Sequence, residues 1–214
     1  MPDEIARALG LDGPDNADAR GRLEIYVTAL LKWQRSINLI GPATVGDLWR
    51  RHIQDCAQLA ALIPADARRF CDLGSGAGLP GLVLAALGVG GGEGGALDLV
   101  ESDVRKAAFL REANRLMGTH ARIVNARIET LGGEGAGAYD IITARALAPL
   151  PRLLEMSNNL LKTSGKLLFL KGKGADAELT ASRETWKMAA TKTPSESDPE
   201  GVILLIEDLE RRHG

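Results

Sequence analysis

Apolar positions in the first 64 residues recur at helical spacing. Leu23, Val27, Leu30, Leu31 and Gln34 form a mostly apolar stripe flanked by Tyr26 and Trp33, and Asp15 or Asn16 can cap its start. Gly41-Pro42 breaks the pattern. A second helix is predicted through Leu48, Ile53, Cys56, Leu59 and Ile63, ending before Pro64. Neither helix can bury its face alone, so both are expected to pack on the C-terminal two thirds of the chain. From Arg69 the text changes to short apolar runs alternating with helical stretches, the pattern of a parallel α/β sheet. Strands are predicted at Arg69–Leu73, Ala96–Glu101, Arg122–Asn125, Asp140–Thr143 and Lys166–Lys171. The helices between and after them are expected at Leu79–Leu87, Asp103–Met117, Pro149–Leu161 and Ala175–Ala189. The gap Pro194–Gly201 holds no helix, so Lys187–Thr193 and Val202–Asp208 are expected to pair as an antiparallel hairpin at the sheet edge. The prediction is a seven-stranded, mostly parallel α/β sheet in residues 65–214, with a helical extension in residues 1–64.

Composition changes this picture little. Of 214 residues, 45% are hydrophobic and 25% charged, which fits an ordinary globular chain of about one and a half domains. No apolar run approaches the roughly 18 residues of a membrane span. Acids at Asp3 and Glu4 argue against a secretory leader. Cys56 and Cys71 are the two cysteines and form no Cys-x-x-Cys pair, so neither a disulfide framework nor a metal site is expected, and a reducing cytoplasm fits. The net charge is −2, yet residues 20–52 carry six bases against two acids. A polyanion would therefore have to meet a local patch. Six of the eight residues in 88–95 are glycine, read as a mobile loop without chemistry.

The chemistry sits in Asp72-Leu73-Gly74-Ser75-Gly76-Ala77-Gly78-Leu79-Pro80-Gly81, where a strand turns through alternate glycines into a helix. Glycine lets a ligand approach the main chain and permits positive φ. Glu101, ending the next strand, can accept hydrogen bonds from both hydroxyls of a ribose. Gly74, Gly76, Gly78 and Glu101 thus outline a nucleoside crevice, although the same glycines could form only a tight turn. Gly76 to Gly81 also spells G-x-G-x-x-G with Glu101 twenty residues beyond, the dinucleotide fingerprint. Asp72 before the first glycine would repel a pyrophosphate, and Pro80 removes a helix N–H. Both favour an amino-acid-bearing sulfonium as ligand.

These residues resemble the first motif of class I S-adenosylmethionine-dependent methyltransferases, whose Rossmann-like seven-stranded sheet with a final antiparallel hairpin is similar to the predicted order. More closely, Leu79-Pro80-Gly81, Asn38-Leu39, Arg51–Asp55, Val100–Ser102, Ala126–Glu129, Ala144–Ala146 and Leu170–Gly172 resemble the ribosomal RNA small subunit methyltransferase G family (RsmG, or GidB). Gln54 and Cys56 depart from that family's pattern. The resemblance implies methyl transfer from S-adenosylmethionine to N7 of a guanine in 16S ribosomal RNA; a cytoplasmic monomer with no membrane partner is expected. The substrate would be the RNA, the 30S subunit or an assembly intermediate. It implies cofactor contacts at Gly74, Leu79, Ile128, Glu129 and Arg145.

A sulfonium leaves readily and guanine N7 carries an unprotonated lone pair, so alignment is the main requirement and no catalytic base is assigned. Thr143-Ala144-Arg145-Ala146 stands where an exocyclic-amine methyltransferase would favour a polar residue followed by Pro-Pro-Tyr. Arg51, His52, Arg127 and Lys171 are expected to touch RNA, with Arg145 and Lys171 beside the sulfonium. Arg35, Arg50, Lys32 and Arg105-Lys106 would extend this surface. His52 could equally bond between helices. His120 and His213 have no partners at ligand spacing. Two other classes stay open, a nicotinamide-dependent oxidoreductase and a non-catalytic ribosome-assembly factor.

Overall fold

A computed structural model of the chain describes residues 1–132 and 137–212; His213 lies outside them. Helices α1 (Asp3–Ala8) and α2 (Ala17–Gln34) lead into a stretch that departs from expectation. The helix expected through Leu48 to Ile63 forms, but with uneven pitch in place of a regular α-helix. The chain winds tightly at Pro42–Asp47, opens into a π-helical turn at Trp49–Gln54, completes a short α3 (Asp55–Ala57) and tightens again at Gln58–Leu62. His52, Asp55 and Cys56, three and four positions apart, lie on one face of this stretch and are all buried.

The remaining elements are β1 (Arg69–Leu73), α4 (Gly81–Ala86), β2 (Ala96–Val100), α5 (Val104–Met117), β3 (Arg122–Val124), β4 (Tyr139–Arg145), α6 (Leu150–Asn158), β5 (Leu161–Lys171), α7 (Ala175–Thr185), β6 (Trp186–Pro194) and β7 (Val202–Arg211). They build one seven-stranded sheet in the order β3-β2-β1-β4-β5-β7-β6. The first five strands run parallel; β7 pairs antiparallel with β6, as the hairpin reading required, and also antiparallel with β5, so it lies between them. Two predicted helices are too long. The α6 helix stops at Asn158, and α7 gives way to strand at Trp186. There Trp186 buries itself, Lys187 is exposed, Met188 is half-buried and Ala189 is exposed, a period of two rather than 3.6. Helix α4 opens at Gly81, two residues later than expected.

Two buried clusters cover the two faces of the sheet. One holds α6, α7 and the inner side of the hairpin, including Phe169 and Trp186. The other joins α2, α4 and α5 through Leu23, Leu30, Leu82 and Phe109. The rings of Tyr26 and Trp33 pack on Phe109 at 6.4 and 5.9 Å, so these aromatics are core rather than base-stacking surface. Strand order reverses between β2-β1 and β1-β4, and ligands of open α/β sheets bind outside the carboxyl ends at such a switch. The glycine tract 88–95 lies at the opposite edge, ahead of β2. Among the described residues no helix is long and apolar enough to cross a membrane.

Candidate active site at the carboxyl edge of the sheet

A cavity of about 550 Å³ opens at the switch point. Its walls are Gly74–Ala77 and Leu79 after β1, Val100–Ser102 after β2, Ala126–Glu129 after β3 and Arg145–Leu147 after β4, closed by Leu39–Gly41 and His52 from the N-terminal segment. Gly76 carries φ of 55° and its N–H donates to Glu101 Oε2 at 2.8 Å. The other carboxylate oxygen accepts from Asp103 N–H at 2.7 Å. Each oxygen keeps a second acceptor direction, so a buried carboxylate already tied to the loop can still receive two hydroxyls. The hydroxyl of Tyr26, on α2, donates to Ala77 O at 2.7 Å and braces this loop from below.

Of the glycines expected to touch cofactor, Gly74 and Gly76 line the cavity and Gly78 does not. Gly78 carries φ of 85°, which favours glycine, and a Cβ there would also stand 2.5 Å from Leu82 Cδ1, so the turn and its packing on the helix account for this glycine. Asp72 also requires correction. It is fully buried and faces away from the cavity, with Thr143 Oγ1 donating to Oδ1 at 2.8 Å and Gly81 N–H to Oδ2 at 3.2 Å. Burial pushes its carboxyl up to about 6 against those hydrogen bonds. It is a strand-to-helix clasp and not a counter-ion for a ligand amine. The helix entrance still disfavours pyrophosphate for another reason. Gly81 N–H is taken by Asp72 and Leu82 N–H by Gly78 O, so these amides are not turned to a ligand.

Ile128, half-buried, and Glu129, exposed, both line the cavity, and Glu129 Oε1 pairs with Arg152 at 2.8 Å. Arg145 lines it too, but its guanidinium points into the protein. Nε stands 3.2 Å from Asp55 Oδ2, Nη1 donates to His52 Nδ1 at 2.9 Å, and Nη2 to Arg51 O at 2.8 Å. Lys171 is likewise committed, to Glu178 at 2.7 Å and Ala148 O at 3.0 Å. Neither presents a free cation to RNA beside a sulfonium. His52 is buried on the cavity wall, and its ring bonds Thr44 and Arg145, tying the N-terminal segment to the end of β4. Arg51 stays half exposed, 3.7 Å from Asp198. Arg127 is exposed on the cavity wall, and no carboxylate among the described residues pairs with it. Lys106 also lines the cavity, and with Arg105 borders a shallow hollow beside Ser36–Asn38; Arg50 is held by Asp47.

Spacing could not have identified Leu147 and Met156, which complete the apolar wall, or Asp55 as the partner of Arg145.

The model of the family described as rRNA small subunit methyltransferase G (GidB) matches residues 20–199. The Ribosomal RNA small subunit methyltransferase G of Paramagnetospirillum magneticum is 47% identical over 210 residues, 98% of this chain and 97% of the relative. That of Rhodospirillum rubrum is 46% identical over 204 residues, covering 95% and 98%. The chain belongs to this family. Two solved structures show the same fold at low identity. Pyrococcus horikoshii TYW2 in complex with MeSAdo aligns with TM-score 0.57 and 14% identity over 79% of this chain and 64% of its own. A mutant of MtNAS in complex with S-adenosylmethionine aligns with TM-score 0.56 and 16% identity over 92% and 80%.

The inward turn of His52 gives this family member a pH signature. Arginine can only donate, so Nδ1 must accept, and the ring proton sits on Nε2, 2.7 Å from Thr44 Oγ1. Thr44 in turn donates to Gly41 O at 2.7 Å. Burial first, then Arg145 and Arg51, hold the imidazole down to about 4, from 6.5. The folded value lies below the unfolded one, so the neutral ring stabilises fully above pH 6.5 and this contribution is lost as pH falls toward 4. Denaturant unfolding across that window should show wild type losing on the order of 1–3 kcal/mol more than His52→Gln. Parallel pH profiles for the two proteins would contradict it.

Proposed function

We propose that the protein transfers a methyl group from S-adenosylmethionine to N7 of a guanine in 16S ribosomal RNA, acting in the cytoplasm as a monomer. The observation that carries this reading is the Glu101 carboxylate, bonded to Gly76 N–H and opening on a cavity at the sheet's switch point. Family membership supplies the reaction and substrate class. S-adenosylmethionine would bring a methyl on a sulfonium, a leaving group that needs no acid from the protein.

Gly74, Gly76 and Leu79 would hold the amino-acid and adenosyl portions, Glu101 the ribose hydroxyls, and Ile128 and Glu129 the wall beside the base. Arg145 would shape the boundary between donor and acceptor without touching the sulfonium or N7. Both nitrogens of His52 are engaged, so it offers no base, and N7 needs none because its lone pair is free. Residues 65–214 would carry the transfer, with 1–64 as an extension that braces the glycine loop through Tyr26.

Arg51, Lys106 and Arg127 are the cations we assign to RNA phosphates, in place of Lys171. Three such contacts predict that log affinity for RNA falls with log salt with a slope of about −2 to −3. A flat profile in filter-binding titrations would remove the assignment. The function itself is tested by digesting ribosomal RNA from cells with and without the gene. Mass spectrometry should find one 7-methylguanosine missing from the small-subunit RNA; an unchanged nucleoside set would reject the reading. Methylation of isolated RNA and of 30S particles in parallel distinguishes the two forms of substrate.

A further inference from the structure

A second cavity of about 370 Å³ opens at the carboxyl ends of β4 and β5 and adjoins the first. Arg145 and Ala146 line both, so Ala146 is part of the partition between them. Its φ of 52° lies in the left-handed region, which a residue with a Cβ rarely adopts. Such backbone persists where its surroundings over-determine it, and it clusters at functional sites. Leu170 and Val202 supply apolar walls.

Three carboxylates border this cavity, and their satisfaction differs. Asp55 is saturated: the hydroxyls of Ser195 and Ser197 and the Gln58 amide donate to Oδ1, and Arg145 faces Oδ2. Glu178 is held by Leu150 N–H at 2.6 Å and by Lys171. Asp198 is the exception. Its Oδ1 accepts Glu200 N–H at 3.0 Å, Oδ2 makes a loose ion pair with Arg51 at 3.7 Å, and the side chain stays 38% exposed, so it keeps acceptor directions open to an incoming group.

We propose that this cavity receives the target guanine, turned out of the RNA, and that Asp198 reads its Watson–Crick edge. The inference rests on the guanine-N7 transferase reading. Enzymes that modify a base commonly extrude it into a pocket and recognise that edge by hydrogen bonds. Guanine alone among the four bases places two adjacent donors there, N1–H and the exocyclic N2 amine, and a carboxylate accepts both. Adenine and cytosine each offer an acceptor beside their amine, and uracil a single donor between carbonyls. Held by this edge, the purine has N7 on its far side, free to face the partition and the donor cavity.

The test uses small-subunit RNA ligated with inosine at the guanine mapped by mass spectrometry. Inosine keeps N7 and N1–H and lacks only the amine. For wild type, kcat/KM for methyl transfer should fall about tenfold or more on inosine RNA. Asp198→Asn keeps the side-chain size and an acceptor for Glu200 N–H. It should lose a similar factor on guanine RNA, bind S-adenosylmethionine as wild type does, and show no further loss on inosine. Independent, multiplying losses would overturn the assignment. Equal transfer to both RNAs by wild type would overturn it too, even if the variant failed to fold. Absence of any transfer to guanine RNA would instead remove the transferase reading beneath it.

Discussion

Glu101→Gln should bind S-adenosylmethionine at least about a hundredfold more weakly than wild type. The carboxylate accepts Gly76 N–H at 2.8 Å and Asp103 N–H at 2.7 Å while facing the cavity. An amide keeps one acceptor and turns an NH₂ toward the other N–H, so the loop and the end of β2 separate. Hydrogen bonds to a charged partner contribute roughly 1.5–3 kcal/mol each. Losing one tie to the loop and one ribose contact is worth about 3 kcal/mol, which is somewhat over a hundredfold. Calorimetric titration measures it. Glu101→Asp should be nearly as damaging, because the shorter chain cannot reach Gly76 N–H. A Glu101→Gln protein with wild-type affinity would remove this carboxylate from the cofactor account.

Arg145→Ala should destabilise the fold by about 3 kcal/mol. The Arg145–Asp55 pair is largely buried, with side chains 19% and 11% exposed, and breaking a buried pair typically costs about 3–5 kcal/mol. The low end applies because Asp55 retains the donors of Ser195, Ser197 and Gln58. In a domain of this size that corresponds to about 6–12 °C in Tm. Arg145→Lys should recover little, since one ammonium cannot reach Asp55, His52 Nδ1 and Arg51 O together. Thermal unfolding checks both. An unchanged Tm for Arg145→Ala would mean that the guanidinium is not the tie between the N-terminal segment and β4.

The two variants also separate what local sequence can tell from what it cannot. The glycine loop and Glu101 are legible because their geometry comes from a strand, a turn and a strand end close in sequence. The parallel run of strands and the closing hairpin are legible because alternating runs force crossovers and Pro194–Gly201 forces a hairpin; the lateral order of the strands is not. The aim of Asp72 is not. Four of the five residues of β1 are buried, so a central strand shows no alternation to say which way a side chain points. Arg145 is legible as a position but not as a committed cation, because its partners lie some ninety residues upstream at Arg51, His52 and Asp55. Asp55 is in turn tied to Ser195 and Ser197, about 140 residues away, pairings that only the folded chain creates. The π-helical turn that gathers these groups has the same apolar spacing as an ordinary helix, so spacing alone cannot tell the two apart.

The most direct test of the whole account is single-turnover transfer of labelled methyl from S-adenosylmethionine to small-subunit ribosomal RNA, with identification of the labelled nucleoside. The geometry and the family predict label in 7-methylguanosine and at one position. Label in any other nucleoside, or none in the RNA while the protein is folded, would contradict it.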